Sequence, residues 1–306
     1  MKKITILLLS FLFTIISFTA EAQIRVVTTL PDLASITRHV GGDRVDVFAI
    51  AKGYQNPHFV DPKPSYIVKL SRADMFITVG LDLEIGWAPQ LVQSSRNNKI
   101  QRGNAGYVDA SEGISLLQVP SSTSREEGDI HIYGNPHYWL DPVRGKQVAE
   151  TIYHHLSDIS PENEALFRKN LESFKQEIDE RLNDWQQKME PFKGTKIIAY
   201  HNEWVYFEER FGLEIVGFLE PKPGIPPTPS QLVSVIQKVK NDNIPVLINS
   251  PYFSSKSPEV VARNTGVEIV KLATMTGGYD EIENYFDLFE YNINALTESL
   301  KNRQAN

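Results

Sequence analysis

The sequence predicts an α/β protein with two lobes, each built on a mainly parallel sheet flanked by helices. Two observations support this fold class: short apolar runs alternate with helical patterns in both halves of the chain, and one long amphipathic helix separates the halves. Repeated strand, helix and strand favour parallel sheets, because the intervening helix returns the chain to the same end of the sheet. A chain of 306 residues also exceeds what one core usually holds.

The predicted strands are short runs rich in Val, Ile and Phe, and they lie at 25–30, 45–51, 75–79, 196–200, 214–218, 246–248 and 268–272. The predicted helices show apolar residues every three or four positions, often after a proline, and they lie near 31–40, 64–73, 203–211, 229–240, 258–265 and 281–300.

The long helix extends from Ser160 to Pro191. A serine followed by proline marks its start, and the second proline marks its end. Its apolar residues form one stripe, which consists of Phe167, Leu171, Phe174, Ile178, Leu182, Trp185 and Met189. We expect a rigid spine that packs on both lobes; a coiled-coil arm is the alternative. The predicted organisation is therefore a signal peptide at 1–22, an N-terminal α/β lobe at 23–159, a linking spine helix at 160–191 and a C-terminal α/β lobe at 192–306.

The first 22 residues predict export. Lys2 and Lys3 precede an apolar run at 4–18, and Ala20 and Ala22 are the small residues expected before a cleavage site. The apolar run is shorter than the roughly 20 residues that span a bilayer. The sequence contains no cysteine, so neither a disulfide nor an acylated cysteine is expected. The expected location is the periplasm.

The formal net charge of the chain is −7. A mildly acidic protein is a poor partner for nucleic acid or for an anionic membrane surface, so we expect neither interaction. We expect a monomer.

Three histidines, each framed by turn residues, predict one metal site. His58 and His137 each follow Asn-Pro, in which proline fixes the backbone just before the imidazole, and His201 directly follows a predicted strand. Neutral imidazole suits zinc and neighbouring metals, and ligands bind outside the carboxyl ends of parallel strands. We therefore expect the three imidazoles to meet in the cleft between the lobes, with metal affinity falling below about pH 6.5, where an ordinary imidazole gains a proton.

Several segments carry a family resemblance: residues 58–65, residues 134–142, Tyr200-His201 with the aromatic residues up to 213, and residues 285–292. They resemble the zinc/manganese solute-binding proteins of ABC importers, the cluster A-I proteins, and the resemblance covers essentially the whole chain after the signal segment. It implies two α/β lobes joined by one rigid helix with the metal between them, extracytoplasmic capture of a divalent transition metal, and delivery to a membrane permease. It also assigns the metal-ligand role to His58, His137 and His201.

Three imidazoles favour zinc, with manganese as the alternative, because relatives that look manganese-selective tend to have a carboxylate in place of His201. The aspartate that many relatives place after the last strand is missing here, since that loop has no carboxylate before Asp280. We predict Glu220, in a proline-rich loop, as the fourth ligand. Alternatively, Glu220 only accepts a hydrogen bond near the site, and Asp280 or a water molecule is the fourth ligand. His131 is expected to be a loop histidine or a weak outer metal site.

An enzyme and an adhesin are the competing classes. A zinc ion with an open position can activate water, and Glu203 could act as a base beside it. The chain has no His-Glu-x-x-His helix and no serine in a nucleophile elbow, so we predict a binding protein and no enzymatic activity. A surface adhesin with the same fold stays open as an alternative.

Overall fold

The structure, a computed structural model, describes residues 22–120, 131–222 and 224–304. The predicted signal peptide therefore lies outside the described residues except for Ala22. Two parallel sheets with the same strand order form the frame of the molecule. The first sheet has the order β2-β1-β3-β4 and the second β6-β5-β7-β8. The strands are β1 Ile24–Thr28, β2 Val45–Ala49, β3 Met75–Thr78, β4 Tyr107–Asp109, β5 Lys196–Ala199, β6 Glu214–Phe218, β7 Val246–Asn249 and β8 Glu268–Lys271.

Helices cover the sheets and connect the strands. They are α1 Pro31–Gly41, α2 Pro64–Ser71, α3 Ala88–Ser95, α4 Pro142–Ile159, α5 Glu164–Met189, α6 Val205–Phe211, α7 Pro229–Asn241, α8 Lys256–Thr265 and α9 Tyr285–Gln304. Five of them, α1, α2, α3, α4 and α7, carry a proline at one of their first two positions, where its fixed φ fits the helix and its missing N–H would have no partner in any case. None of the helices in the described part of the chain is both long and apolar enough to cross a bilayer.

The predicted spine is α5, a helix of 26 residues that spans about 39 Å at 1.5 Å per residue. All seven apolar residues of the predicted stripe are buried, because α5 packs on α1 and α4 along one side and on α9 along the other. The predicted helix start is wrong, because Pro161 was expected as the first helical residue and α5 begins three residues later, at Glu164. Pro161–Asn163 form a 3-10 turn, and the hydroxyl of Ser160 bonds to the carboxylate of Glu162 and does not cap α5.

One hydrophobic core runs through both lobes, and a smaller one lies on the far face of the second sheet. Strand β5 shows the division: Ile197 faces the shared core and Ile198 the smaller one, since successive side chains of a strand point to opposite faces. Helix α9 follows the last strand of the second sheet but packs on α5 and α1. The two sheets are thus joined by continuous packing as well as by the spine.

The two-lobed parallel fold agrees with the sequence prediction, and the differences have local causes. Strand β4 was not predicted, because three residues are too few to show a clear period, and helix α3 was not predicted either. Helix α9 begins at Tyr285 and not at 281. The side chain of Asn284 accepts hydrogen bonds from the N–H groups of Phe286 and Asp287, which fixes the first turn there.

Candidate metal centre

His58 lies in the loop that follows β2, and the residues before it hold the loop in place. The side chain of Asn56 accepts a hydrogen bond from the backbone N–H of His58 at 3.0 Å. The indole N–H of Trp87 donates to the carbonyl of Pro57, also at 3.0 Å. The imidazole is half-buried at the edge of the cleft. The Asn-Pro-His sequence is therefore a rigid turn that aims its histidine.

His137 repeats the arrangement in a fully buried position. Oδ1 of Asn135 accepts from the backbone N–H of His137 at 3.1 Å and lies 2.9 Å from Nδ1 of its ring. The amide group of Asn135 donates to the carbonyl of Asn202 in the other lobe at 2.9 Å, which identifies its oxygen as the atom facing the imidazole. Because Nδ1 donates to that oxygen, Nε2 of His137 carries the lone pair and accepts a hydrogen bond from Nε2 of His58.

His201 follows β5 directly, at the carboxyl end of the second sheet. Its Nδ1 lies 2.7 Å from Oε2 of Glu220, in the loop after β6, and both side chains are less than one-tenth exposed. A carboxylate can only accept a hydrogen bond, so Nδ1 of His201 is the donor. Glu220 thus contacts the site through His201.

The three predicted histidines come together. Within the described residues, His58, His137 and His201 form a group whose candidate ligand nitrogens all lie within 4.8 Å of one another. The Nε2 atoms of His58 and His137 are 3.2 Å apart. Zinc–nitrogen bonds of about 2.0–2.1 Å place two tetrahedral ligands about 3.3 Å apart, so this pair already has a suitable spacing.

Burial keeps these imidazoles ready for metal. Loss of solvent lowers the pKa of His58 and of His137 well below the ordinary value of 6.5, and the neighbouring histidines lower both further. A lowered pKa means that the ring is neutral at pH 7, which is the form that binds a metal. His58 and His137 are therefore in the neutral form that can bind a metal.

The other sequence candidates lie in different places. Asp280 is exposed, and neither its carboxylate nor that of Glu220 belongs to the three-histidine group. Glu203 is buried with its carboxyl group between the hydroxyls of Ser250 and Tyr252. Burial raises the pKa of Glu203. An enzyme would need the carboxylate of Glu203 as a free general base, but here it accepts hydrogen bonds from both hydroxyls.

Two cavities reach the cluster. One of about 220 Å³ is bordered by His58, His201 and Glu220, with Phe59 and Pro226 at its rim. The other, of about 420 Å³, lies on the first lobe and is bordered by His58 and by His131. The orienting contacts of Asn135 and Trp87 were not predicted from the sequence. The repeated Asn-Pro-His motif could have indicated the contact of Asn135 with His137.

Two α/β lobes, a rigid connecting helix and imidazoles gathered in the cleft define a metal-binding protein of the solute-binding class. A family model described as zinc-uptake complex component A, periplasmic (ZnuA), matches residues 26–299. The chain belongs to this family, which confirms the resemblance seen in the sequence. It is a metal-binding substrate-binding protein of the ABC-transporter type.

Relatives and solved structures agree with this placement. The manganese ABC transporter substrate-binding lipoprotein PsaA of Streptococcus pneumoniae is 25% identical over 317 residues, covering 98% of this chain and 99% of PsaA. A crystal structure of ZnuA has a TM-score of 0.75 at 24% identity and covers 92% of this chain and 98% of its own. The protein FpvC of Pseudomonas aeruginosa, solved in complex with Mn²⁺, has a TM-score of 0.77 at 21% identity, with coverage of 92% and 99%. The structural likenesses confirm the fold.

Proposed function

We propose that this protein captures zinc in the periplasm and delivers it to a membrane ABC importer, with His58, His137 and His201 as ligands. The observation that carries the proposal is the group of three imidazole nitrogens within 4.8 Å of one another. Three side chains from distant segments converge here, and burial lowers the pKa of His58 and of His137, which keeps these two rings neutral at pH 7. The ion is the cargo, so the protein has to bind it and release it without changing it.

The choice of zinc rests on the donor atoms. Imidazole suits zinc, copper and iron, whereas carboxylate and carbonyl oxygens suit manganese and magnesium. Within the described residues no carboxylate belongs to the cluster, and the nearest one, that of Glu220, is engaged by Nδ1 of His201. Manganese is the second candidate, because PsaA is named for it and FpvC was solved with it.

Glu220 has the role of an orienting group in this proposal. A histidine that binds a metal commonly donates its other ring N–H to a carboxylate, which fixes the tautomer and makes the free nitrogen more basic. The 2.7 Å contact between Glu220 and His201 has this form. The predicted direct bond from Glu220 to the metal would require the carboxylate to leave that hydrogen bond.

Delivery requires a surface that a permease can contact. Two large apolar side chains stand exposed at opposite rims of the cleft: Phe59 on the first lobe is 63% exposed and Ile225 on the second is 42% exposed. Phe59 borders the same cavity as His58 and His201, and Ile225 adjoins residues that border it. Exposed apolar groups around a ligand site are typical of a protein contact. We propose that this rim docks on the permease.

The metal assignment is tested with metal-stripped mature protein, residues 23–306, exposed to equal and limiting zinc and manganese and analysed by native mass spectrometry. The test variant changes His58, His137 and His201 to alanine. The matched control changes His154 and His155, which lie on α4 away from the cluster. One zinc bound by wild type and control and none by the test variant is the expected result.

Other outcomes have defined meanings. Preferential retention of manganese would reverse the metal assignment and leave the transport role in place. No tight binding of either metal by the wild type would reject the proposed function. Delivery is tested by uptake of radioactive zinc in cells that lack this gene and carry either wild type or the test variant. N-terminal sequencing of protein from the periplasmic fraction tests cleavage after Ala22.

A further inference from the structure

A fourth histidine stands beside the cluster. The ring centroid of His131 is 5.0 Å from that of His58 and 6.0 Å from that of His137. The three clustered rings are 5.3, 5.5 and 5.7 Å apart. Four imidazoles around one zinc ion, with bonds of about 2.0–2.1 Å, would have ring centroids roughly 5 Å apart. His131 therefore has ligand-like spacing to two of the three rings.

One ring nitrogen of His131 lacks a partner among the residues that the structure describes. This atom, Nε2, is buried and makes no hydrogen bond to any of them. The ring does have a hydrogen bond to the backbone carbonyl of Leu81, and since Nε2 has no partner, Nδ1 must be the donor. A buried polar atom without a partner is uncommon and calls for an explanation, and an absent ion is one of the few that fit.

The same contact at Nδ1 occurs in two of the three clustered histidines. Nδ1 of His137 bonds to the side-chain oxygen of Asn135, and Nδ1 of His201 bonds to Glu220. In both rings an oxygen accepts the hydrogen of Nδ1, as is common for metal-binding histidines. His131 has this arrangement with a backbone carbonyl as the oxygen.

The loop that supplies this carbonyl has an unusual backbone. Leu81 and Asp82 both have positive φ angles, 54° and 63°, which cost energy for residues other than glycine. The buried carboxyl of Glu84 fixes the entrance to the loop by accepting hydrogen bonds from the N–H groups of Val79 at 2.7 Å and Gly80 at 3.2 Å. A strained conformation held in place by a buried acid is typical of a functional position.

We propose that His131 supplies the fourth metal ligand through Nε2, completing a four-imidazole site with His58, His137 and His201. The proposal rests on the proposed function, since it concerns the same ion. Nε2 of His131 is not part of the group within 4.8 Å, so binding requires a small inward movement of this ring. A fourth imidazole replaces the aspartate that the loop after β8 lacks, and it strengthens the preference for zinc over manganese.

His131 also borders the 420 Å³ cavity together with His58. An ion that enters through this cavity meets His131 and His58 before it reaches the buried His137. His131 is thus placed to close the site behind the ion, and its loss should speed the release of bound metal more than it slows capture.

The test uses ¹⁵N-labelled mature protein, residues 23–306, and long-range ¹H–¹⁵N correlation spectra of the imidazoles with and without one equivalent of zinc. Signals are assigned with the single variants His131→Gln and His154→Gln. We expect four imidazoles to shift on zinc binding, including the one absent from His131→Gln, while the signals of His39, His154 and His155 stay unchanged. Since loss of even an outer-shell partner typically costs 10–100-fold in metal affinity, His131→Gln should lower zinc affinity by at least about tenfold, and His154→Gln should not.

Shifts of His58, His137 and His201 without a shift of His131 would overturn this proposal and leave the proposed function intact. An unchanged zinc affinity and release rate in His131→Gln would do the same. Absence of any imidazole shift would reject the proposed function itself. The wild-type spectra decide the question even if a variant folds poorly.

Discussion

Nδ1 of His201 donates a hydrogen bond to Oε2 of Glu220 across 2.7 Å, and the contact joins the end of β5 to the loop after β6. These two strands are neighbours in the second sheet, so parallel pairing brings their carboxyl ends to the same edge. The contact fixes the orientation of the His201 ring and makes Nδ1 the donor to Glu220.

Replacement of Glu220 by alanine removes the oxygen that orients His201. We expect zinc affinity to fall by about 10–100-fold, the range typical for loss of such a partner, and Glu220→Gln to lose less because its amide oxygen can still accept the hydrogen bond. Competition titration with a chromophoric chelator measures this. Glu214→Ala, at an exposed position on β6, is the matched control. Equal affinities of the alanine variant and wild type would contradict the orienting role.

Zinc binding should tolerate mild acid. An ordinary imidazole would begin to compete for protons near pH 6.5, which is what the sequence alone predicts. The pKa values of His58 and His137 lie well below 6.5 because the rings are buried beside other imidazoles. Zinc affinity should therefore stay nearly constant as the pH falls from 8 through 6.5, and it should decline only at a pH well below 6.5. A short unfolded peptide with three histidines is the control. Loss of zinc by the protein over the same pH range as the peptide would contradict this expectation.

Asp32 should make folding stability depend on pH. It is buried in the first turn of α1, where Oδ1 accepts from the N–H and hydroxyl of Thr276 at 3.0 and 2.9 Å, and burial raises its pKa to about 7 from 3.8. The folded state therefore holds the proton of Asp32 more tightly than the unfolded state does. The stabilisation that results is fully present below pH 3.8 and is lost as the pH rises through about 7.

Asp32→Asn keeps the oxygen acceptor and removes the titration. Between pH 5 and pH 8 the metal-free variant should lose less stability than wild type, by up to about 2 kcal/mol. Urea unfolding at both pH values measures the difference. Glu84, whose pKa burial also raises to about 7, is present in both proteins and cancels. Parallel pH profiles for the two proteins would show that Asp32 does not carry the effect.

Arg210 ties α6 to the start of α4. Its guanidinium donates to both oxygens of the fully buried Asp141 at 2.7 and 2.9 Å, and Asp141 also caps α4 by accepting from the N–H of Val143. Arg210→Ala leaves a buried carboxylate with fewer partners, so we expect a loss of about 2–3 kcal/mol in unfolding free energy.

Arg263→Ala is the matched control, because its pair with Glu259 is exposed and 4.0 Å long and should be worth less than about 1 kcal/mol. Chemical unfolding of both variants gives the comparison. Equal effects of the two substitutions would show that the contact between Arg210 and Asp141 adds nothing beyond a surface pair.

Metal binding should move the lobes only slightly. Besides the spine, the loop after β8 is tied to residues before α4 by the indole N–H of Trp139, which donates to the carbonyl of Thr274 at 2.7 Å. The backbone N–H of Tyr285, at the start of α9, donates to the hydroxyl of Ser35 on α1 at 2.9 Å. Solution scattering of metal-free and zinc-loaded protein should give radii of gyration that agree within a few per cent. A larger difference would indicate a wide hinge closure.

The regular parts of the fold could be predicted because each is set by local pattern. The stripe on α5 repeats every three or four residues and is buried at every predicted position, from Phe167 to Met189. Short elements escaped prediction, since β4 has three residues and carries no measurable period. The exact start of α9 depends on the side chain of Asn284, a single contact that no periodicity announces.

Part of the candidate site could likewise be predicted from the sequence, and part could not. The repeated Asn-Pro-His and the position of His201 after a strand identified three residues that the structure brings together. The partner of each ring could not be predicted, because Asn135, Glu220 and the carbonyl of Leu81 reach their imidazoles through loop geometry. The family model confirms the class of protein that these motifs indicated.

The sequence by itself determined the two parallel sheets, the spine and the three converging histidines, because hydrophobic period, turn chemistry and residue type are local properties of the chain. Only the tertiary structure decided that Glu220 contacts Nδ1 of His201 without belonging to the three-histidine group. It also decided that the ring of His131 lies beside that of His58, with Nε2 of His131 unpartnered among the described residues. Those relationships depend on distances between loops from different strands, and such distances are set by packing of the whole molecule.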